Sequence, residues 1–121
     1  MRDVTIWHNP RCSKSRQALA LLESEGVTPT VRRYLDDPPS AAAIAAVVDA
    51  LGCAPRALMR TKEARYRELG LAAVDDPAAL IEAMAAEPIL IERPVILASG
   101  RAVIGRPPER ALEVLGDDTS A

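Results

Sequence analysis

Phenylalanine is absent from this chain of 121 residues, which holds one tryptophan, two tyrosines, one histidine, two cysteines and only two lysines. Each shortage closes a class of function. Without an aromatic set there is no platform on which successive bases could stack. Two cysteines cannot staple a disulfide-rich secreted scaffold, and with a single histidine they cannot complete a four-ligand zinc site, so no metal is expected. Acidic residues outnumber basic ones, 17 to 15, so the chain lacks the basic balance with which nucleic-acid binders release counterions. The longest uninterrupted apolar run, Ala41 to Val48, falls far short of the ~20 residues that span a bilayer. Met1 to His8 holds no long apolar segment, so no signal peptide is expected. The chain is therefore expected to be cytoplasmic, with neither nucleic acid nor membrane as a partner. In that compartment thiols stay reduced, and a cysteine is either a small packing residue or a reactive group.

What is present is an aliphatic core of Leu, Ile, Val and Ala, patterned into short elements. Val4-Thr5-Ile6-Trp7-His8 is β-branched and aromatic and reads as a strand that Asn9-Pro10 breaks. Ser13 to Glu25 favours helix, with Gly26 at the C′ position. Thr30 to Leu35 reads as a second strand, and Asp36 to Pro39 as a turn. Ser40 is a natural N-cap for a helix whose Ile44, Val47, Val48 and Leu51 recur at amphipathic spacing, ended by Gly52. Pro55 starts a turn leading to Arg60, and a further helical piece covers Glu63 to Leu69, stopped by Gly70. Asp76-Pro77 opens a helix carrying Leu80, Ile81 and Met84, which Pro88 closes. Val95 to Leu97 is a short apolar strand, and Ser99-Gly100 turns the chain into Arg101 to Ile104. Gly105 to Pro108 opens a last helix with Leu112 and Leu115, and the tail from Gly116 is expected to fray. The order is β-α-β, several helices, then β-β-α. This is an α/β protein with one four-stranded mixed sheet, read as a single domain over residues 1–121 with a helical insertion at about 40–88.

Cys12 falls after the first strand and immediately before the first helix. A helix N-terminus presents unpaired N–H groups and partial positive charge, which stabilise both a thiolate and a bound oxyanion. Arg11, Lys14 and Arg16 add cationic charge beside it. A phosphatase loop would need Arg six residues after the cysteine, where Ala18 stands. A dithiol motif would need a second cysteine at position 15, where Ser15 stands. A cycle using Cys12 must then be resolved from outside, or by Cys53, whose bland reading is a packing residue. His8 is either a general base or a support for the loop, and Trp7 reads as core.

His8-Asn9-Pro10-x-Cys12-x-x-Ser15-Arg16 resembles the active-site loop of the ArsC family, the glutaredoxin-linked arsenate reductases. The resemblance continues through Tyr34-Leu35-x-x-Pro38-Pro39, Arg56-Ala57-Leu58-Met59-Arg60 and Tyr66-x-Glu68-Leu69-Gly70-Leu71. It reaches Pro88-Ile89-Leu90-Ile91-x-Arg93-Pro94 and Gly105-Arg106-Pro107-Pro108-Glu109, so it spans roughly residues 4 to 115. Cys12 to Arg16 and Ile104 to Glu109 look most similar to the YfgD-like subgroup. The resemblance implies a thioredoxin-like fold with a helical insertion. It implies that Cys12 is the nucleophile and that Arg60, Arg93 and Arg106 bind the oxyanion, and His8, Ser15, Arg16 and Pro94 are read as supporting residues beside them. It also implies that the Arg93–Pro94 peptide is cis. The implied reaction reduces arsenate to arsenite through a Cys12 adduct. Glutathione is then the co-substrate, glutaredoxin the partner, and no cofactor is resident. Arginine suits the task, since guanidinium groups stay charged and offer paired donors to a tetrahedral dianion.

Two other readings stand beside this one. A transcriptional regulator of the Spx type shares the fold, but such proteins usually carry Cys-x-x-Cys, which Ser15 interrupts. A monothiol glutaredoxin-like thiol transferase would act on glutathionylated thiols without any oxyanion.

Overall fold

Val4–Trp7 (β1) runs parallel to Thr30–Arg32 (β2), and Val95–Ala98 (β3) runs antiparallel both to β1 and to Arg101–Ile104 (β4). The sheet order is β2-β1-β3-β4, so the mixed four-stranded sheet expected above is present, with β1 and β3 inside and β2 and β4 at the edges. The computed structural model describes residues 3–98 and 100–119. Its contacts divide into two compact units, one of residues 1–34 with 93–121 and the other of residues 35–92.

In the first unit the strand period decides which side chains share a face. Val4 and Ile6 of β1, Ile96 and Ala98 of β3, and Val103 of β4 share one apolar face. Registers of Ile6 with Ile96 and of Ile96 with Val103 bring them side by side. The helix Ser13–Ser24 (α1) lays Ala18 and Leu22 on that face. Ala111, Val114 and Leu115 of the C-terminal segment complete the same core. Each large side chain fully withdrawn from water here contributes about 1.5–3 kcal/mol.

The structure corrects three sequence boundaries in this unit. β2 stops at Arg32 instead of continuing to Leu35. It is an edge strand paired only with β1, and Trp7 is the last residue of β1, opposite Arg32. Once Asn9-Pro10 turns the chain away, β2 has no further ladder partner. The last helix is a 3-10 run over Pro108–Thr119, not an α-helix opening at Gly105. Buried Ala111 and Val114 lie three residues apart, the spacing that three residues per turn stacks on one side. That run continues past Gly116, where fraying was expected. Of the expected hairpin turn, Gly100 takes a left-handed φ of 76°, while Ser99 lies outside the described residues.

The second unit is helical. Ala41–Leu51 (α2) begins where Ser40 Oγ accepts the Ala43 N–H at 3.1 Å, and it ends at Gly52 with a left-handed φ of 66°. Ala64–Glu68 (α3) and Pro77–Ala86 (α4) follow, with Asp76 capping α4 by accepting the Ala78 N–H at 3.1 Å. Short 3-10 turns occupy Pro55–Leu58, Leu71–Ala73 and Pro88–Leu90. Ile44 and Val47 of α2, Leu80 and Met84 of α4, and Leu58, Leu90 and Ile91 are buried. The Arg56 guanidinium donates to the Leu71 carbonyl at 3.0 Å and to the Tyr66 hydroxyl and Val74 carbonyl, tying the first 3-10 turn to the 66–74 segment. Among the described residues no helix is long and apolar enough to cross a membrane.

Candidate active site

The loop from His8 to Ser15 is built around Asn9. Its carbonyl accepts the Cys12 N–H at 3.0 Å, and its side-chain oxygen accepts the Arg11 N–H at 3.0 Å. Its own N–H donates to Ser15 Oγ at 3.0 Å. Pro10 cannot donate a backbone hydrogen bond, and its carbonyl accepts Arg16 Nη1 at 2.8 Å. These bonds close a tight turn that sets Cys12 at the N-cap of α1 in extended backbone geometry. The sequence marked Asn9 only as a strand breaker. Its three-way role has no mark in the sequence beyond the Asn-Pro pair and its place in the motif around Cys12.

His8 and Ser15 form the buried foot of this loop. His8 Nδ1 lies 2.7 Å from Ser15 Oγ, and Ser15 is wholly buried. Burial, then the charges of Arg33 and Arg16, hold His8 below the usual imidazole range. The neutral ring needs one accepting nitrogen. Ser15 Oγ accepts from Asn9 and still has both a proton and a lone pair to offer Nδ1, so the contact ties the ring to the loop in either tautomer. Of the two roles open to His8, this geometry describes the loop support.

A pH effect follows, with its sign fixed by the direction of that shift. The unfolded chain takes up the histidine proton near 6.5, while the folded chain resists it until lower pH. The contribution of His8 to stability is complete above the unfolded value and is lost as pH falls toward the folded one. Urea unfolding at about pH 7 and about pH 5.5 should show the weaker protein at the lower pH. In His8→Asn, which keeps an acceptor near Nδ1, the difference should shrink; an unchanged difference would assign the slope to other groups.

Cys12 is half-buried and its thiol is free. Burial alone would raise its pKa. The Ser15 N–H, the Arg93 charge, the Lys14 N–H and the Arg106 charge together outweigh that and bring it below the usual thiol value. Arg106 Nη1 lies 4.0 Å from Cys12 Sγ and donates to the Arg93 carbonyl at 3.2 Å. Arg93 precedes β3 through a cis peptide to Pro94, as the resemblance implied, and Pro94 is fully buried. The Arg106–Pro107 peptide is also cis, which the sequence did not suggest. The first unit thus brings together Cys12, His8, Ser15, Arg16, Arg93, Pro94 and Arg106.

Arg60 belongs to the second unit. There its backbone N–H donates to the Leu90 carbonyl at 2.7 Å, and its guanidinium lies 3.3 Å from a Glu63 carboxylate oxygen. Cys53 belongs to the same unit, half-buried and free, with its thiol pushed up by burial, the setting of a protonated and inert thiol. Among the described residues no three His, Cys, Asp or Glu side chains gather to hold a metal ion.

Chemically, an activated sulfur lies under helix N–H groups with two guanidinium groups beside it. That set can hold a tetrahedral anion and present it to a nucleophile. A four-stranded mixed sheet with a cysteine at the start of α1 and a cis-proline turn before β3 defines a thioredoxin-like protein. The ArsC family model matches residues 7–114, and the chain belongs to the ArsC family. It is 50% identical over 117 residues to the Escherichia coli K12 protein YfgD, a match covering 95% of this chain and 98% of that protein. It is 47% identical over 120 residues to an arsenate reductase of Neisseria meningitidis, covering 95% and 100%. The structure of an arsenate reductase from Vibrio cholerae superposes with a TM-score of 0.91 at 47% identity, covering 93% of this chain and 98% of that one.

Proposed function

We propose that this protein reduces arsenate to arsenite, with Cys12 as nucleophile and glutathione and glutaredoxin as thiol donors. The observation that carries the reading is the lowered thiol of Cys12 beside Arg106, in a chain 47% identical to proteins named arsenate reductase. The thiolate attacks arsenic, and one arsenate oxygen leaves as water after taking up protons. Arg93 and Arg106 hold the remaining oxygens and offset the repulsion between two anions as they approach. Glutathione attacks the Cys12 sulfur, so an S–S bond forms as the S–As bond breaks with its electron pair left on arsenic; arsenite leaves, and glutaredoxin then takes up the glutathionyl group and frees Cys12. The two electrons that convert As(V) to As(III) come from two thiols that end as one disulfide. The site offers one activated thiol, so the other must come from a partner. That requirement suits the reducing cytoplasm.

Arg60 is the third proposed guanidinium, supplied by the helical insertion of what we read as one functional domain. Phosphate has nearly the same shape and charge as arsenate. It should compete for the cradle without being reduced, so selectivity rests on the readier reduction of arsenic.

The test is an assay in which arsenate-dependent NADPH loss is coupled to glutathione recycling. Turnover is expected with glutaredoxin and should fall to background without it, and Arg60→Ala should raise the KM for arsenate. Absence of arsenate-dependent NADPH loss, under conditions where a related reductase works, would overturn the reading.

A further inference from the structure

Gly105 is not a glycine for reasons of backbone freedom, because its φ lies outside the left-handed region where the other described glycines with positive φ sit. What excludes a side chain is space. A Cβ built on Gly105 would stand 2.9 Å from Pro94 Cγ, 3.0 Å from Ile96 Cδ1 and 3.5 Å from Ala18 Cβ. Pro94 and Ile96 are both fully buried, so neither can swing into solvent to make room. The Gly105 N–H also donates to the Pro94 carbonyl at 2.9 Å, which fixes the two backbones at this close approach.

The two residues that flank this contact carry the charges of the site. Arg93 immediately precedes Pro94, and Arg106 immediately follows Gly105. Their own link, from Arg106 Nη1 to the Arg93 carbonyl, is 3.2 Å long, and the same nitrogen lies 4.0 Å from Cys12 Sγ. The Gly105–Pro94 contact is thus one residue away from each arginine whose charge acts on the sulfur.

We propose that Gly105 is a positioning residue, whose missing side chain lets the Pro94 turn and the Arg106 turn approach closely enough to set both guanidinium groups around Cys12. It touches neither substrate nor the reacting sulfur and acts through Pro94 and Arg106. The proposal rests on the reading of Cys12 as the nucleophile, but its test needs no arsenate, so failure of the arsenate assay and failure of this inference are separate results.

The test measures the pH profile of Cys12 alkylation by iodoacetamide in a Cys53→Ala background, so that one thiol is followed. Gly105→Ala should keep the far-ultraviolet spectrum of the parent. It should move the midpoint of the profile upward, slowing alkylation below that midpoint by roughly tenfold for each unit of displacement. Ile96→Val removes the Cδ1 atom that the new methyl would meet and leaves the Pro94 contact untouched. In Gly105→Ala/Ile96→Val the fold should be relieved while the thiol profile stays displaced, because the action runs through Pro94. If Gly105→Ala alone does not fold, the double variant carries the same comparison. A parental profile in Gly105→Ala, or full restoration of the profile by Ile96→Val, would overturn the proposal. The first would remove any link to the thiol, and the second would reduce Gly105 to ordinary core packing.

Discussion

Cys12→Ser is expected to bring arsenate-dependent turnover to the assay background, a loss of roughly a thousandfold or more. Serine keeps the shape of the N-cap residue, and the bonds that build the loop come from backbone groups and from Asn9, His8 and Ser15, so the fold should persist. What is lost is the anion. The Ser15 and Lys14 N–H groups and the charges of Arg93 and Arg106 can pull a thiol below its usual value. A serine hydroxyl starts far too high for the same groups to ionise it near neutral pH. Nor can a hydroxyl donate electrons to As(V) and leave as half of a disulfide. The check is NADPH loss in the coupled assay, together with circular dichroism showing an unchanged fold. Turnover within tenfold of the parent would mean that the nucleophile lies elsewhere.

Arg106→Ala and Arg93→Ala are each expected to lower kcat/KM for arsenate by roughly 10–100-fold, the scale of one charge-assisted hydrogen bond removed from an oxyanion. Arg106→Ala should have a second effect that a purely substrate-binding residue would not produce. Its Nη1 lies 4.0 Å from Cys12 Sγ, and its charge helps to lower the thiol pKa, so the free enzyme should show an upward-shifted thiol titration. Arg106→Lys keeps the charge and loses the forked donors, and should recover the titration more fully than the arsenate kinetics. Because Arg106 is only partly buried, the stability change should be small beside the kinetic one. Arsenate kinetics unchanged in both alanine variants would dismiss the oxyanion cradle.

How far these features were legible depended on whether they are local. β1 and α1 were readable because β-branched residues, the Asn-Pro break and the C′ glycine act within a few positions. The end of β2 was not, because the strand stops where its neighbour β1 stops, and Thr30 to Leu35 carries no mark of that. The C-terminal 3-10 winding was hidden for a similar reason, since its apolar spacing reads equally well as an α-helix. Within the site, Cys12 at the helix start was visible from the order of elements alone. Arg93 and Arg106 were marked only by the family resemblance, and a separation of 94 residues between Cys12 and Arg106 explains why spacing could not pair them. Asn9 and Gly105 were present in the quoted motifs without a role. One acts through three simultaneous hydrogen bonds and the other through a 2.9 Å approach, and a sequence states identities, not distances.

The most direct measurement is the ultraviolet titration of thiolate absorbance in the Cys53→Ala protein, with Cys12→Ser as the blank. The account predicts a single transition with its midpoint clearly below that of a free cysteine, abolished in Cys12→Ser and moved upward in Arg106→Ala. A midpoint at or above the ordinary thiol value would contradict it, because the helix N–H groups and the two guanidinium groups would then not be holding the anion on which the proposed chemistry depends.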